Sequence, residues 1–124
     1  MVTSSKMVLI VDDDLAIRSS LADLLGDEGY DTACAGDGRA ALDYLDQGVS
    51  PRLILLDLMM PIMDGWDFRT EQQRRNVCAS IPLVIMTASG RCDEAVLSLG
   101  AQDCVEKPFS FARLLTVVRR HLLV

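Results

Sequence analysis

The sequence predicts a small doubly wound α/β domain, in which five parallel strands in the order 2-1-3-4-5 carry helices on both faces. Short apolar runs alternate with longer amphipathic stretches five times along the chain. Two of these runs, LILL at 53–56 and LVIM at 83–86, are apolar throughout, which is typical of parallel strands covered on both faces. The chain has 124 residues, and we expect one domain over residues 1–124.

Each strand is identified by a short apolar run that ends in turn residues or charges. The second run, TACA, is the weakest because its residues are small, and the fourth contains Pro82 where a strand start tolerates proline. In chain order the predicted strands are KMVLIV (6–11), TACA (32–35), RLILL (52–56), IPLVIMT (81–87) and DCVEK (103–107).

The helices follow from amphipathic periodicity and from residues that end a helix. Asp14 is expected to cap the first helix, which ends near Gly26, while Gly48 and Gly100 close the second and fourth helices. In chain order the predicted helices cover 15–29, 38–48, 66–77, 91–100 and 110–123.

Composition and charge exclude several classes of protein. The net charge is −6, and the basic residues are scattered rather than gathered on one face, so we expect no direct nucleic-acid binding. No run approaches the ~20 apolar residues that span a bilayer, and we expect no membrane insertion. The apolar run at 7–11 is too short for a signal peptide and is stopped by three aspartates, which favours the cytoplasm.

The four cysteines form no C-x-x-C pair, and a core of this size needs no disulfide to stabilise it. We therefore expect free and mostly buried thiols. The single histidine, His121, is remote in sequence from the acidic clusters, which argues against a zinc site.

Polar side chains stand at the carboxyl ends of four of the five strands. Asp12 and Asp13 come after the first strand and Asp57 after the third, while Thr87 and Lys107 are the last residues of the fourth and fifth. The carboxyl ends of parallel strands meet at one edge of the sheet, and ligands bind there where the strand order reverses, between strands 1 and 3 in this order. We therefore expect these five side chains to converge.

Such a cluster predicts a particular chemistry. Two carboxylates ~4 Å apart repel by about 4 kcal/mol at an effective dielectric of about 20, and a hard divalent cation relieves this. Oxygen ligands favour Mg²⁺. With the Lys107 ammonium and the Thr87 hydroxyl nearby, the cluster could hold a phosphoryl group while Asp57 attacks in line. Taken singly, each residue has an ordinary interpretation, such as a loop acid or a surface lysine; their convergence favours the functional one.

Four motifs make the chain resemble a receiver domain of a bacterial two-component response regulator, over nearly its whole length. They are VDDD (11–14), LLDLMMPIMDG (55–65), VIMTAS (84–89) and EKPF (106–109). The resemblance implies a flavodoxin-like receiver fold. It also implies that Asp57 accepts a phosphoryl group from a sensor histidine kinase or a histidine phosphotransfer protein, by self-catalysed transfer followed by slow hydrolysis.

The resemblance assigns a role to each site residue. Asp12, Asp13, Asp57 and the main-chain carbonyl of Met59 would hold Mg²⁺, with Asp12 acting largely through water. Lys107 would pair with Asp57 and then with the phosphoryl oxygens, and Thr87 would move to hydrogen-bond one of them. Other expectations concern the surroundings of the site: a Lys107–Pro108 bond that is often cis, a loop shaped by Pro61 and Gly65, and phosphoryl lifetime tuned by Met59 and Ser89.

The output is expected to be a change of shape on the face built from helix 4, strand 5 and helix 5, roughly residues 91–122, where an unknown downstream protein would bind. One residue departs from the family pattern. The family commonly has an aromatic residue three positions before the lysine, and here that residue is Cys104. The coupling of Thr87 to an aromatic switch is therefore in doubt, although Cys104 could simply pack in the core.

Three alternatives remain open at this stage. Asp12-x-Asp14 resembles the catalytic pair of a haloacid-dehalogenase-like phosphatase, but no acid follows Lys107 to complete that site. A flavodoxin-like cofactor binder would need a glycine-rich phosphate loop after the first strand, where three acids stand instead. A receiver-like interaction module that is never phosphorylated would not need the intact set of acids and lysine. We expect no output domain in this chain, which could be a stand-alone regulator or a module of a longer protein.

Overall fold

Five parallel strands form the sheet, in the order β2-β1-β3-β4-β5. This computed structural model describes residues 7–75, 79–88 and 90–122. The strands are β1 (Met7–Val11), β2 (Asp31–Ala35), β3 (Leu53–Asp57), β4 (Leu83–Thr87) and β5 (Asp103–Glu106). The helices are α1 (Leu15–Asp27), α2 (Gly38–Asp46), α3 (Gly65–Arg74), α4 (Cys92–Leu99) and α5 (Phe111–Leu122). The predicted fold class, strand order and succession of elements are confirmed.

The strand register brings the ends of neighbouring strands together. Val11 of β1 is opposite Leu56 of β3, so the residues that follow them, Asp12 and Asp57, are neighbours at the carboxyl edge. On the other side of β3, Asp57 is opposite Met86 of β4. The sheet therefore places Asp57 between the ends of β1 and β4.

Two hydrophobic cores lie on the two faces of the sheet. One face packs against α2, α3 and α4, and the other packs against α1 and α5. Successive residues of β1 point to opposite faces of the sheet. Leu9 packs in one core and Ile10 in the other, and both side chains are fully buried. Burying one such side chain stabilises the fold by about 1.5–3 kcal/mol. These cores hold the strand ends, and hence the site, in a fixed arrangement.

The ends of the elements mostly agree with the predictions, within one to three residues. Asp14 caps α1 as predicted, its side chain accepting from the main-chain N–H groups of Ala16 and Ile17. Gly100 ends α4 in the left-handed conformation, with φ 63°. Strand β4 starts at Leu83 rather than at 81, since proline at 82 has no N–H to donate to the ladder. The predicted residues 76 and 77 of the third helix lie outside the described residues.

The expectation of free thiols is wrong for two of the cysteines. Cys92 and Cys104 form a disulfide with an S–S distance of 2.07 Å and a Cα–Cα distance of 5.6 Å. Cys34 carries a free thiol as expected, but it is exposed rather than buried. The pairing arises because α4 folds back on β5 and brings together residues 12 positions apart, a spacing with no recognised motif. Cys78 lies outside the described residues.

Within the described residues, no helix combines the length and the apolar character that crossing a bilayer requires.

Candidate functional site

The structure brings the predicted acidic residues together at the carboxyl edge of the sheet. Asp12, Asp13 and Asp57 each offer one carboxylate oxygen, and these three oxygens lie within 4.8 Å of one another. Lys107 lies beside them, its Nζ 2.6 Å from Asp12 Oδ2 and 3.6 Å from Asp57 Oδ2. Four of the five side chains that were predicted to converge therefore lie together.

Asp12 is fully buried, and each of its side-chain oxygens has a partner. Oδ1 accepts a hydrogen bond from the main-chain N–H of Asp14 at 2.9 Å, while Oδ2 accepts from the Lys107 ammonium. The main-chain oxygen of Asp12 accepts from Arg18 Nη1 at 2.7 Å. These contacts fix the Asp12 carboxylate at the start of the β1–α1 turn.

Lys107 pairs with Asp57, as the resemblance implies, and also with Asp12. The contact with Asp12 is the shorter, at 2.6 Å against 3.6 Å for Asp57. Both acids are buried, so one ammonium offsets part of the charge of two carboxylates that water barely reaches.

Asp57 is 5% exposed, and its surroundings disfavour the ionised form. Burial and the neighbouring charge of Asp12 raise the pKa of Asp57 to about 6, with a smaller contribution from Asp13. The Lys107 ammonium and the main-chain N–H of Met59, which donates to Asp57 Oδ1 at 3.4 Å, act in the opposite direction. Asp57 is thus a carboxylate surrounded by excess negative charge, which a cation would relieve.

Asp13 differs from its two acidic neighbours because it is exposed. The cluster therefore has a closed side, formed by Asp12 and the sheet, and an open side at Asp13. Asp13 is thus the carboxylate of the cluster that solvent and dissolved ions reach. Three oxygen donors of this kind suit a hard divalent cation.

Thr87 is the last residue of β4 and is fully buried. Its main-chain oxygen accepts a hydrogen bond from the N–H of Lys107 at 2.8 Å, so the two residues are tied through their backbones. The peptide bond from Lys107 to Pro108 is cis, in agreement with the family expectation. Thr87 and Lys107 therefore occupy the strand ends to which the sequence assigned them.

The β3–α3 loop approaches the end of β3 closely at Gly65. The Gly65 N–H donates to the Leu58 carbonyl at 2.9 Å, and a Cβ added at position 65 would lie 2.7 Å from the main-chain oxygen of Asp57. Only glycine fits so close to the backbone that carries Asp57. Within the same loop, Ile62 has a φ of 67°, which is unusual for a β-branched residue.

Sequence reasoning missed Arg18 and the loop residue Ile62. The only available signal for Arg18 was its place four residues after Asp14, one turn into α1. For Met59, the structure shows an exposed side chain, and the metal-ligand role of its carbonyl stays a prediction. Ser89, predicted to influence the phosphoryl lifetime, lies outside the described residues.

Comparison with known proteins identifies the family. The sequence model of the response regulator receiver domain matches residues 8–119. The chain belongs to this family. The receiver domain is 39% identical over 119 residues to a transcriptional regulatory protein CpxR homolog of Haemophilus influenzae, covering 91% of this chain and 50% of that protein. It is 38% identical over 128 residues to the DNA-binding response regulator MtrA of Mycobacterium tuberculosis, covering 97% of this chain and 52% of that protein.

Solved receiver structures show the same fold. The chemotaxis response regulator CheY4 of Vibrio cholerae superimposes with a TM-score of 0.86 at 29% identity, covering 95% of this receiver domain and 99% of that chain. The receiver domain of a signal transduction histidine kinase from Syntrophus aciditrophicus gives a TM-score of 0.84 at 30% identity, covering 94% and 89% of the two chains. Such domains occur both in regulators and in kinases.

Family membership assigns the chain to two-component signalling, in which receiver domains act with histidine kinases and output domains. The relatives are regulators rather than catalytic enzymes, and they lend no support to a phosphatase. The chain spans about half the length of the curated relatives it matches first.

Proposed function

We propose that Asp57 accepts a phosphoryl group from a sensor histidine kinase or a histidine phosphotransfer protein, and that this switches the conformation of the domain. The observation that carries the proposal is the packing of three carboxylate oxygens within 4.8 Å, with the Lys107 ammonium in ion-pair range of two of them. Burying two carboxylates side by side is unfavourable, and binding a cation and a phosphoryl group would account for their presence.

The donor set fits Mg²⁺. All donors are oxygens, and their mutual repulsion contributes to the raised pKa of Asp57. Asp12, Asp13, Asp57 and the main-chain carbonyl of Met59 would hold the ion, with Asp12 the one whose contact would pass through water. When bound, the ion supplies positive charge that offsets the negative charge on the phosphoryl oxygens.

The residues of the chain itself provide the remaining chemistry. A carboxylate oxygen of Asp57 forms a bond to phosphorus as the bond from phosphorus to the donor breaks, which gives an acyl phosphate. The Lys107 ammonium, already within ion-pair range of Asp57, stabilises the phosphoryl oxygens. The Thr87 hydroxyl then hydrogen-bonds one of these oxygens. Water later attacks phosphorus and returns Asp57 to the carboxylate.

The proposed output surface is the face formed by α4, β5 and α5. Leu97 in α4 is 85% exposed, so this face offers an apolar side chain for a partner. Arg120 and His121 of α5 contact Asp103 of β5, so this face also carries charged and polar groups.

We propose that the protein works in the cytoplasm, together with its kinase, and that residues 1–124 form one receiver domain.

Incubation with Mg²⁺ and acetyl phosphate tests the proposal. Intact-mass measurement should show one added phosphoryl group on the wild-type chain and none on Asp57→Asn. The matched control is Asp14→Asn, which removes the same charge nearby but keeps a side chain that caps α1. This variant should be phosphorylated normally. Equal phosphorylation of Asp57→Asn and wild type would refute the proposal.

A further inference from the structure

The disulfide between Cys92 and Cys104 fastens one end of α4 to the sheet. Cys92 is the first residue of α4, and Cys104 lies in β5 opposite Ile85 of β4. The residue before the helix, Arg91, makes no side-chain capping hydrogen bond. The first turn of α4 is also held by Ala95, which is fully buried in the core, and by Arg91, whose guanidinium carbon lies 5.8 Å from the centroid of the Trp66 ring; the disulfide adds a covalent restraint to these contacts.

The opposite end of α4 is held in a different way. Arg69 of α3 is buried, and it donates to the main-chain oxygens of Leu99 at 2.8 Å and of Gly100 at 3.1 Å. These hydrogen bonds satisfy carbonyls at the helix C-terminus. Breaking the disulfide would therefore release the N-terminal turn of α4, while the C-terminal turn stays anchored as a pivot.

The disulfide closes a loop of chain from residue 92 to residue 104, and in the sequence this loop lies between two residues of the phosphorylation site. Thr87 precedes Cys92 by five residues, and Lys107 follows Cys104 by three. Thr87 and Lys107 are also joined by a main-chain hydrogen bond. A displacement of Thr87 toward a phosphoryl group must therefore be absorbed by the few residues leading to Cys92, unless α4 is free to move.

Cys104 is 9% exposed and Cys92 packs against the same core, but both residues border the surface. Two surface cavities, of about 450 and 640 Å³, are lined by Cys92 and Cys104 together, and Arg113 borders both. A thiolate released at Cys92 would lie at a helix N-terminus, which favours a thiolate, while Asp93 and Glu94 in the same turn oppose it. The two cavities are the route by which a small dithiol would reach the disulfide.

We propose that Cys92 and Cys104 form a redox-active pair that determines whether phosphorylation moves α4; this builds on the function proposed above. A cellular dithiol is the reductant. Its thiolate attacks one sulfur, the S–S bond breaks and a mixed disulfide forms, and its second thiol then displaces the remaining cysteine. Two electrons pass to the pair, giving two cysteine thiols and one reductant disulfide. In the cytoplasm a disulfide is usually transient or regulatory, which suits this role.

The oxidised and reduced forms should respond differently to phosphorylation. The oxidised form keeps the first turn of α4 against β5, so a phosphoryl group on Asp57 leaves the output face unchanged. The reduced form lets that turn move. Linkage requires the reverse effect as well: phosphorylation makes the disulfide easier to reduce, because it favours the arrangement with α4 released.

The first experiment maps the thiols. Alkylation of denatured protein with and without prior treatment with a dithiol reductant, followed by peptide mapping, should show that Cys92 and Cys104 are labelled only after reduction. Cys34 should be labelled in both samples, since it is free. Labelling of Cys92 and Cys104 without reductant, in protein previously exposed to a low-molecular-weight disulfide, would overturn the proposal.

The second experiment measures amide hydrogen exchange in α4, with α1 as internal reference. In unphosphorylated protein, reduction should speed exchange by about 5-fold or more at the N–H of Ala95, which donates to the main-chain oxygen of Arg91, as should Cys92→Ser in either condition. The matched control Cys34→Ser should behave as wild type. With Mg²⁺ and acetyl phosphate, the reduced form should show a further change in α4 and the oxidised form none.

The outcomes separate the two proposals. If Asp57 gains no phosphoryl group in either redox form, the proposed function fails, and exchange in the unphosphorylated protein still decides whether the disulfide restrains α4. If Asp57 is phosphorylated but α4 exchanges equally in both redox forms, the redox proposal fails alone.

Discussion

The Lys107 ammonium lies 2.6 Å from a carboxylate oxygen of Asp12, although the two residues are 95 positions apart in the chain. The contact joins the ends of β1 and β5 across the carboxyl edge of the sheet. Asp12 is fully buried and the Lys107 side chain is 17% exposed, so the pair is shielded from water and salt. Lys107 thus stabilises the site before it meets any phosphoryl group.

Replacing Lys107 by methionine should destabilise the fold. The change keeps most of the side-chain volume but leaves the buried Asp12 carboxylate without its counter-charge, which costs about 3–5 kcal/mol. Urea unfolding in the absence of Mg²⁺ measures this. The matched control is Arg74→Met, which removes a cation from an exposed ion pair with Glu71 and should alter the free energy of unfolding by less than about 0.5 kcal/mol. Equal effects of the two changes would show that the buried pair is unimportant.

Asp57→Asn should stabilise the metal-free protein at neutral pH. The pKa of Asp57 is raised from 3.8 to about 6 on folding, so the folded state binds the proton more tightly than the unfolded state. Ionisation of Asp57 therefore opposes folding, and the contribution of Asp57 to the free energy of unfolding falls as pH rises from about 4 through 6. Above pH 6 the asparagine variant avoids this cost, which amounts to at most about 3 kcal/mol.

The pH dependence checks the cause of that stabilisation. The advantage of Asp57→Asn in urea unfolding should shrink as pH falls below 6 and vanish below about 3.8, where Asp57 is protonated in both folded and unfolded wild type. An advantage that persists unchanged at low pH would mean that packing, and not charge, separates the two proteins.

Asp13→Asn should weaken Mg²⁺ binding by at least about tenfold, because it removes one of the three clustered carboxylates. Isothermal titration calorimetry at neutral pH gives the affinity. The matched control Asp14→Asn makes the same change in charge one residue away. Position 14 lies outside the three-oxygen cluster, and asparagine there still caps α1. The Mg²⁺ affinity of this variant should therefore stay within about twofold of wild type. If both variants lose affinity alike, general electrostatics rather than ligation explains Mg²⁺ binding.

Gly65→Ala should destabilise the domain and slow phosphorylation. The added methyl group would meet the main-chain oxygen of Asp57 at 2.7 Å and the Cα of Leu58 at 2.8 Å, so the loop must shift away from the end of β3. Overpacking of this kind costs about 1–3 kcal/mol. Thermal or urea unfolding and the rate of acetyl phosphate transfer report the two effects.

Gly26→Ala is the control for that substitution. Gly26 lies in α1 with open space around its Cβ position, so alanine there should be neutral or stabilise the domain by up to about 1 kcal/mol. A comparable loss from both changes would contradict the close approach of Gly65 to Asp57.

The fold and the site were predictable to different degrees. Apolar runs such as 53–56 and 83–86 define strands by local pattern, and the carboxyl edge of a parallel sheet then collects Asp12, Asp57 and Lys107 by topology alone. The shorter contact of Lys107 with Asp12 than with Asp57 is a difference of about 1 Å between side chains, which a sequence pattern does not specify. Pairing of Cys92 with Cys104 depends on how α4 folds back on β5, for which no local signal exists.

Locating the acyl phosphate within the chain identifies the residue that accepts the phosphoryl group. Protein treated with Mg²⁺ and acetyl phosphate is trapped with hydroxylamine, digested and mapped by mass spectrometry. We expect modification of Asp57 and of neither Asp12 nor Asp13. Modification of Asp12 instead, as a phosphatase of the haloacid-dehalogenase type would give, or no modification of any aspartate, would contradict this expectation.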